Sequence, residues 1–106
     1  MTNSVSKIGI YTFADCLGLS ALKLSNNIKE IPEAGFAACV NLQIIILPNK
    51  LKKICKAAFA ECVNLRAIEN IPENLSYVHE DAFYKTLIKE DFMRKFKEMQ
   101  KQVNTK

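Results

Sequence analysis

A stretch of seven residues returns almost unchanged 23 positions later, and this repetition limits the fold more than any other feature. Residues 36–42 read FAACVNL and residues 59–65 read FAECVNL, which are identical at six of seven positions. A surface helix would show an apolar period of about 3.6 residues and a strand a simple alternation, and neither is sustained here. The chain is therefore expected to fold as stacked copies of one short unit.

Four copies of the unit align on their phenylalanines. Phe13, Phe36 and Phe59 are 23 residues apart, and Phe83 follows after 24. In the first three copies a cysteine comes three residues later, whereas Thr86 stands at this position in the fourth. The apolar positions that follow recur with the same spacing: Leu19, Leu42, Leu65; Leu22, Ile45, Ile68; and Ile31, Ile54, Val78. Because each of these side chains needs its counterpart in the next copy to be buried, the pattern predicts a solenoid with repeats of about 23 residues.

Each copy also predicts two short extended segments. The segment from Leu42 to Leu47 places every second apolar side chain inward, which predicts a strand that pairs in parallel with its equivalent in the next copy. The pair formed by Ile28 and Ile31, with its equivalents, predicts a second extended or turn segment on another side of the coil. The phenylalanine and cysteine are then expected to close the unit with one α-helical or 3₁₀ turn.

The pattern AAFAECVNLxxI followed by IPxxLxxV, with its copies over residues 8–87, resembles leucine-rich repeats of the BspA-like, or Treponema-type, class. The resemblance implies an α/β repeat fold, a short curved solenoid with a parallel sheet on its concave side. It also implies a role in protein recognition, often at the surface of bacteria or of protists that contact host tissue.

The repeat pattern divides the chain into three segments. Residues 1–7 are polar and expected to be disordered, residues 8–86 hold about three full repeats with partial copies at both ends, and residues 87–106 follow another pattern. Since no polar cap precedes the first repeat, its apolar end is expected to be uncovered. We predict a homodimer that buries this end; the alternative is that the chain is a fragment of a longer repeat array. The side chains at this end are Ile8, Ile10 and Phe13.

The C-terminal segment predicts an amphipathic helix. Its apolar residues are three or four positions apart: Ile88, Phe92, Phe96, Met99 and Val103. Thr86 is placed to act as the N-cap, and the acidic residues precede most of the basic ones, as the helix dipole favours. We predict that the apolar face caps the last repeat. The alternative is a basic helix that binds an anionic membrane surface or the groove of a partner.

The positive charge is confined to the C-terminal segment. Residues 1–84 hold eight Lys or Arg and eight acidic residues, whereas residues 85–106 hold seven and three. A nucleic-acid-binding domain would carry a basic stripe across its folded surface, so no nucleic-acid partner is expected. A local basic cluster at Lys50, Lys52 and Lys53 is a secondary candidate patch, or simply a solvated edge.

The sequence offers little for chemistry. His79 is the only histidine, and neither a nucleophile motif nor a phosphate-binding glycine loop is present, so no enzymatic activity, metal or cofactor is expected. Three of the four cysteines recur at one position of the repeat, which predicts buried free thiols rather than disulfides: Cys16, Cys39 and Cys62. The longest apolar run is far shorter than the roughly 18 residues of a membrane span, and no signal peptide is recognised, which favours the cytoplasm.

The outward positions of the predicted concave sheet are the expected binding surface. Ile44 and Ile46 exceed what an inward pattern needs, which predicts an apolar centre, unless these β-branched residues merely suit a strand. The full predicted set is Lys23, Gln43, Ile44, Ile46, Arg66 and Glu69. We therefore expect a protein–protein interaction module, an intracellular adaptor or regulator of, for example, a phosphatase or other signalling enzyme. The alternatives are a cell-surface protein that contacts host matrix or other cells, and a purely structural oligomerising module.

Overall fold

The chain forms seven short strands and one helix within the part that the structure describes. The computed structural model describes residues 2–5 and 13–104, and the side chains of residues 13–101. The elements in chain order are β1 (Thr2–Val5), β2 (Ala21–Leu24), β3 (Glu30–Ile31), β4 (Ile44–Ile46), β5 (Lys53–Ile54), β6 (Ala67–Glu69), β7 (Tyr77–Val78) and α1 (Lys89–Asn104).

The strands belong to two parallel sheets. The first, called sheet A, has the order β1-β2-β4-β6, and the second, called sheet B, has the order β3-β5-β7. In sheet A, Leu22 is paired with Ile45 and Ile45 with Ile68, so the pairing register equals the 23-residue repeat of the sequence. The predicted parallel strands of the successive copies are therefore confirmed. The second extended segments of the copies together form sheet B.

The repeated phenylalanines form one continuous stack inside the molecule. The ring centroids of Phe13 and Phe36 are 5.2 Å apart, those of Phe36 and Phe59 5.4 Å, and those of Phe59 and Phe83 5.5 Å. The planes of neighbouring rings differ by at most 7°. These distances fall in the range that offset aromatic pairs prefer. The equivalent residues of successive copies are thus buried against one another, as the repeat predicts.

Each turn that follows a phenylalanine contains a non-glycine residue in the left-handed conformation. The residues are Asp15, Ala38, Glu61 and Lys85, with φ between 58° and 62°. This conformation costs an L-residue about 1–2 kcal/mol. In the first three copies the backbone N–H of this left-handed residue donates to a backbone carbonyl of the next copy. The donor–acceptor distances are 2.9 Å for Asp15, 2.7 Å for Ala38 and 2.7 Å for Glu61. These bonds hold the turns of neighbouring copies in register.

The N-terminal segment differs from the sequence-based expectation. Residues 1–7 were expected to be disordered, but Thr2–Val5 forms β1, whose Asn3 is paired with Leu22. The physical reason is that an edge strand needs only backbone donors and acceptors, which a polar sequence supplies as well as an apolar one. Ile8 and Ile10 of the predicted open end lie outside the described residues.

The helix packs against the last repeat. Ile88, Phe92 and Phe96 are buried and belong to the same core as the repeats. The ring of Phe92 lies 4.6 Å from that of Phe83, so it extends the phenylalanine stack by one tilted ring. Thr86 is not the N-cap as predicted, because α1 begins at Lys89 and the carbonyl of Ile88 accepts its first backbone hydrogen bond. The Thr86 hydroxyl donates to the carbonyl of Phe83.

Candidate protein-binding surface

Sheet A turns one face to the core and the other, called the outer face, away from it. Leu22 and Ile45 are buried, while the residues on either side of each in the strand are half-buried or exposed. This follows from the alternation of side chains along a strand. The outer face comprises Ala21, Lys23, Ile44, Ile46, Ala67 and Glu69.

The two outward isoleucines lie at the centre of the outer face. Strand β4 is flanked by β2 and β6, so the register places Ile46 between Lys23 and Glu69. Ile44 lies in the adjacent row between two alanines, whose short side chains leave it half-exposed. An apolar centre with oppositely charged neighbours is therefore present where the sequence predicted it.

A polar row borders the outer face at the start of the strands. The guanidinium of Arg66 donates to the side-chain oxygen of Gln43 at 3.0 Å, and both side chains are exposed. Their backbones are held by the same ladder, since the N–H of Arg66 also donates to the carbonyl of Gln43 at 3.0 Å. The structure thus brings the six predicted binding residues together on one surface.

A cleft between β6 and α1 was not predicted. It has a volume of about 210 Å³ and is lined by residues of both elements: Arg66, Ala67, Ile68, Ile71, Ile88, Asp91, Phe92 and Lys95. Ile68 remains half-buried, whereas its counterpart Ile45 is 1% exposed. The helix therefore covers β6 less completely than β6 covers β4. The cleft could not be predicted from the periodicity of the sequence.

The predicted basic cluster lies apart from the outer face. Lys53 is part of β5 in sheet B, and its Nζ lies 6.0 Å from the ring centre of Tyr77. Lys50 and Lys52 are exposed in the segment that leads into this strand. The cluster and the outer face therefore belong to different sheets.

A second exposed apolar feature was missed by the sequence reasoning. The residue directly after each cysteine, or after Thr86, is apolar in every copy: Leu17, Val40, Val63 and Leu87. We call these four residues the apolar row. Leu17 is 59% exposed, Val63 44% and Leu87 69%, and Val40 is half-buried. The sequence does show that this position is apolar in every copy, but it does not show that the side chains are exposed.

The thiols of the repeat serve as hydrogen-bond donors within the core. Cys39 donates to the carbonyl of Phe13 at 3.0 Å, and Cys62 donates to that of Phe36 at 3.1 Å. Interaction with the neighbouring Cys62 thiol lowers the pKa of Cys39, whereas interaction with Cys39 and burial raise the pKa of Cys62. All four cysteines are free, and of the three predicted to be buried, Cys39 and Cys62 are buried whereas Cys16 is half-buried.

Cys55 lies outside this ladder. Its thiol donates to the carboxylate of Glu30 at 3.2 Å. Burial, this hydrogen bond and the charge of Glu30 raise the pKa of Cys55 to about 11. The thiol is thus protonated near neutral pH, which is the opposite of what a nucleophilic cysteine requires.

The described residues show neither a metal cluster nor a membrane span. Within residues 2–5 and 13–104, no three His, Cys, Asp or Glu side chains are grouped so that they could hold a metal ion. In the same part of the chain, no helix has the length and apolar character needed to cross a bilayer. His79, the only histidine, accepts a hydrogen bond at Nδ1 from the backbone N–H of Asp81 at 3.0 Å.

Comparison with known proteins gives one match. A family model described as the BspA type leucine-rich repeat region, in six copies, matches residues 1–105. The match extends at both ends beyond residues 8–87, over which the motifs themselves carry the resemblance. No curated protein and no solved structure matches the chain significantly.

Proposed function

Because the chain belongs to the BspA-type leucine-rich-repeat family, we propose that it is a non-enzymatic interaction module that binds a protein through the outer face of sheet A. Leucine-rich repeats generally mediate protein–protein interaction, and stacked repeats create extended concave binding surfaces. In this proposal the repeats form a short solenoid with sheet A on its concave side.

The position of Ile46 is the observation that carries the proposal. It is half-buried on the outer face, next to Ile44 and between a lysine and a glutamate. Protein interfaces commonly have an apolar centre and a polar rim, and the rim here is continued by Gln43 and Arg66. A partner with an apolar side chain flanked by charged or amide groups would fit this arrangement.

The four free cysteines support an intracellular setting. Free thiols persist in reducing compartments, whereas extracellular proteins tend to carry disulfides. We therefore propose a cytoplasmic adaptor or regulator, for example of a phosphatase or another signalling enzyme.

Family membership favours a second candidate, a cell-surface protein that contacts host matrix or other cells. Modification of intact source cells with a reagent that cannot enter them separates the two settings. Labelling of the protein on intact cells supports the surface candidate, and labelling only after lysis supports the cytoplasmic one. A third candidate, a purely structural module, would retain self-association but bind no other protein.

The packing of α1 supports a role as the cap of the last repeat, rather than the alternative role as a membrane-binding helix. Of the five apolar side chains that would enter a bilayer, Ile88, Phe92 and Phe96 are already buried against the repeats. Membrane binding would therefore require the helix to leave the core.

The test of the proposed surface is Ile46→Glu. We expect the melting temperature to stay nearly unchanged, because the side chain faces away from the core, and capture of partner proteins from source lysate to be lost. Tyr77→Glu in sheet B is the matched control and should retain capture. Unchanged capture by Ile46→Glu would rule out this surface, and a large loss of stability would show that Ile46 is part of the core.

Self-association through the N-terminal end remains a separate proposal. Of its three predicted residues, Ile8 and Ile10 are not described, and Phe13 stacks on Phe36 while remaining half-buried. The incomplete burial of Phe13 supports an end that a second copy could cover.

A further inference from the structure

Most of the exposed large apolar side chains of the described residues lie in the apolar row or near it in sequence. Five such side chains stand out: Leu17, Val63, Tyr77, Tyr84 and Leu87. Three of them belong to the apolar row, Tyr84 is close in sequence to its last member, and Tyr77 lies apart in sheet B. A group of exposed apolar residues marks an interaction site more often than scattered single residues do. None of these residues belongs to the outer face of sheet A.

Side-chain hydrogen bonds link the backbone of the first three members of the apolar row from copy to copy. The side chain of Asn41 donates to the carbonyl of Leu17 at 2.7 Å, and that of Asn64 donates to the carbonyl of Val40 at 2.7 Å. Neighbouring strands of a sheet are about 4.8 Å apart, so four members form a ridge about 15 Å long. A pre-organised ridge loses little conformational entropy on binding.

We propose that the apolar row is the interface of a two-fold symmetric homodimer, in which two copies of this chain pack antiparallel, row against row. The two-fold axis passes between Val40 and Val63. It places Leu17 opposite Leu87 of the partner subunit and Val40 opposite Val63 of the partner subunit. Such an interface uses the same patch on both copies and closes on itself.

The charges beside the row are the reason to expect a second copy of this chain. The left-handed residues, two positions before each member, run from an acid at one end to a base at the other: Asp15, Ala38, Glu61 and Lys85. Antiparallel packing places Asp15 of each copy opposite Lys85 of the partner subunit, which gives two opposite-charge pairs. Complementary charges at a rim favour association in the correct register.

The sizes of the side chains that follow the phenylalanines also fit an antiparallel arrangement of the two copies. The residue after each phenylalanine is Ala14, Ala37, Ala60 or Tyr84, so the one large member faces the small Ala14 of the partner subunit. Tyr84 is 46% exposed. A Cβ placed on Gly18 would meet no atom within 4 Å, so there is open space beside Leu17 for Leu87 of the partner subunit.

The proposed dimer is independent of the proposed binding function, because the outer face of sheet A contributes no residue to it. A ridge of four aliphatic side chains buries little surface, as in the smallest class of protein interfaces. We therefore expect a weak dimer, with a dissociation constant on the order of micromolar or higher.

The first test is sedimentation equilibrium of the full chain at concentrations from about 1 μM to 1 mM. Val63→Glu introduces a charge near the two-fold axis in both copies, and we expect the dissociation constant to rise about tenfold or more. Tyr77→Glu is the matched control, since Tyr77 has the same exposed fraction of 44% but lies in sheet B. It should leave the dissociation constant unchanged. Melting curves establish that each variant is folded.

The second test exchanges the charges and remains informative if Val63→Glu fails to fold. Asp15→Lys and Lys85→Asp should each weaken the dimer, and the double variant should restore it. A lysine is compatible with the backbone at position 15, because Lys85 has a φ of 61° close to the 62° of Asp15. A chain that is monomeric throughout, or a dimer that Val63→Glu or the single charge exchanges do not weaken, would overturn the proposal. Failure of the dimer test leaves the partner-capture test of Ile46 unaffected.

Discussion

At the residue scale, the phenylalanine stack shows how one repeated side chain joins successive copies. Phe59 is fully buried and has a ring on either side, at 5.4 Å and 5.5 Å. Phe13 has a described ring partner on one side only and is half-buried. The same residue type therefore makes very different contacts in different copies.

Phe59→Ala should lower the free energy of unfolding by about 3–5 kcal/mol, because it removes a buried ring and leaves a cavity between two others. Urea denaturation followed by circular dichroism measures the loss. Phe13→Ala is the control, with a smaller expected loss because the ring is less buried. Equal losses for the two variants would contradict the stacking order described here.

The Cys55 thiol should make stability depend on alkaline pH. Its pKa is raised from the ordinary 9.0 to about 11 in the folded protein, so between these values the unfolded chain releases a proton that the folded chain keeps. The contribution is fully present below pH 9.0 and is lost as the pH rises toward about 11. The urea midpoint should therefore fall across this window.

Cys55→Ser removes the titrating thiol, and Glu30→Gln removes the charge that helps to raise its pKa. Each variant should show a shallower fall of the urea midpoint than the wild-type chain across the same pH window. The difference between the wild-type and variant curves is the informative quantity, because contributions from other groups are common to all three proteins. Superimposable curves for the wild type and Cys55→Ser would show that this thiol does not contribute.

At the element scale, α1 shows how far a helical pattern predicts a structure. The apolar spacing correctly predicts the helix, and three of its five predicted contact residues are buried in the core. Asp91 forms ion pairs with Arg94 and Lys95 on the exposed side. The N-cap was placed wrongly, because the helix begins at Lys89. Local propensity favours a threonine at the N-cap and could not reveal this later start.

Phe92→Ala should reduce the free energy of unfolding by about 3 kcal/mol or more, because the ring is buried against Phe83. Asp91→Ala, at the neighbouring exposed position, removes only surface ion pairs and should cost about 1 kcal/mol or less. Chemical denaturation of the two variants compares the two effects. Similar small losses would indicate that the helix contributes little to the core and that the last repeat is stable without it.

At the scale of the whole molecule, the repeat period becomes the hydrogen-bonding register of two sheets. Leu22, Ile45 and Ile68 are paired in sheet A, and Ile31, Ile54 and Val78 in sheet B. Nearly all of this could be predicted, because residues one repeat apart must be neighbours when copies stack in parallel. Strand β1 could not, because its residues TNSV carry no repeat signal and pair through the backbone.

The two candidate interaction surfaces differ in how far they could be predicted. The outer face of sheet A follows from strand alternation once the strand is recognised, and the six predicted binding residues lie on it or in the polar row at its border. The exposure of the apolar row could not be predicted, because its members recur with the same period as the buried Leu19, Leu42 and Leu65. Recurrence shows that positions are equivalent, but it does not show which way their side chains point.

The sequence by itself determined the repeat unit, the family, the parallel strands and the contact face of the terminal helix, because these depend on periodicity. Tertiary structure decided which recurring apolar residues are exposed and how completely the helix covers β6. Each turn after a phenylalanine holds a left-handed residue, from Asp15 to Lys85, and the side chain at the cysteine position is more buried than the one that follows it. That choice depends on backbone bonds between copies, which form only when the copies are stacked.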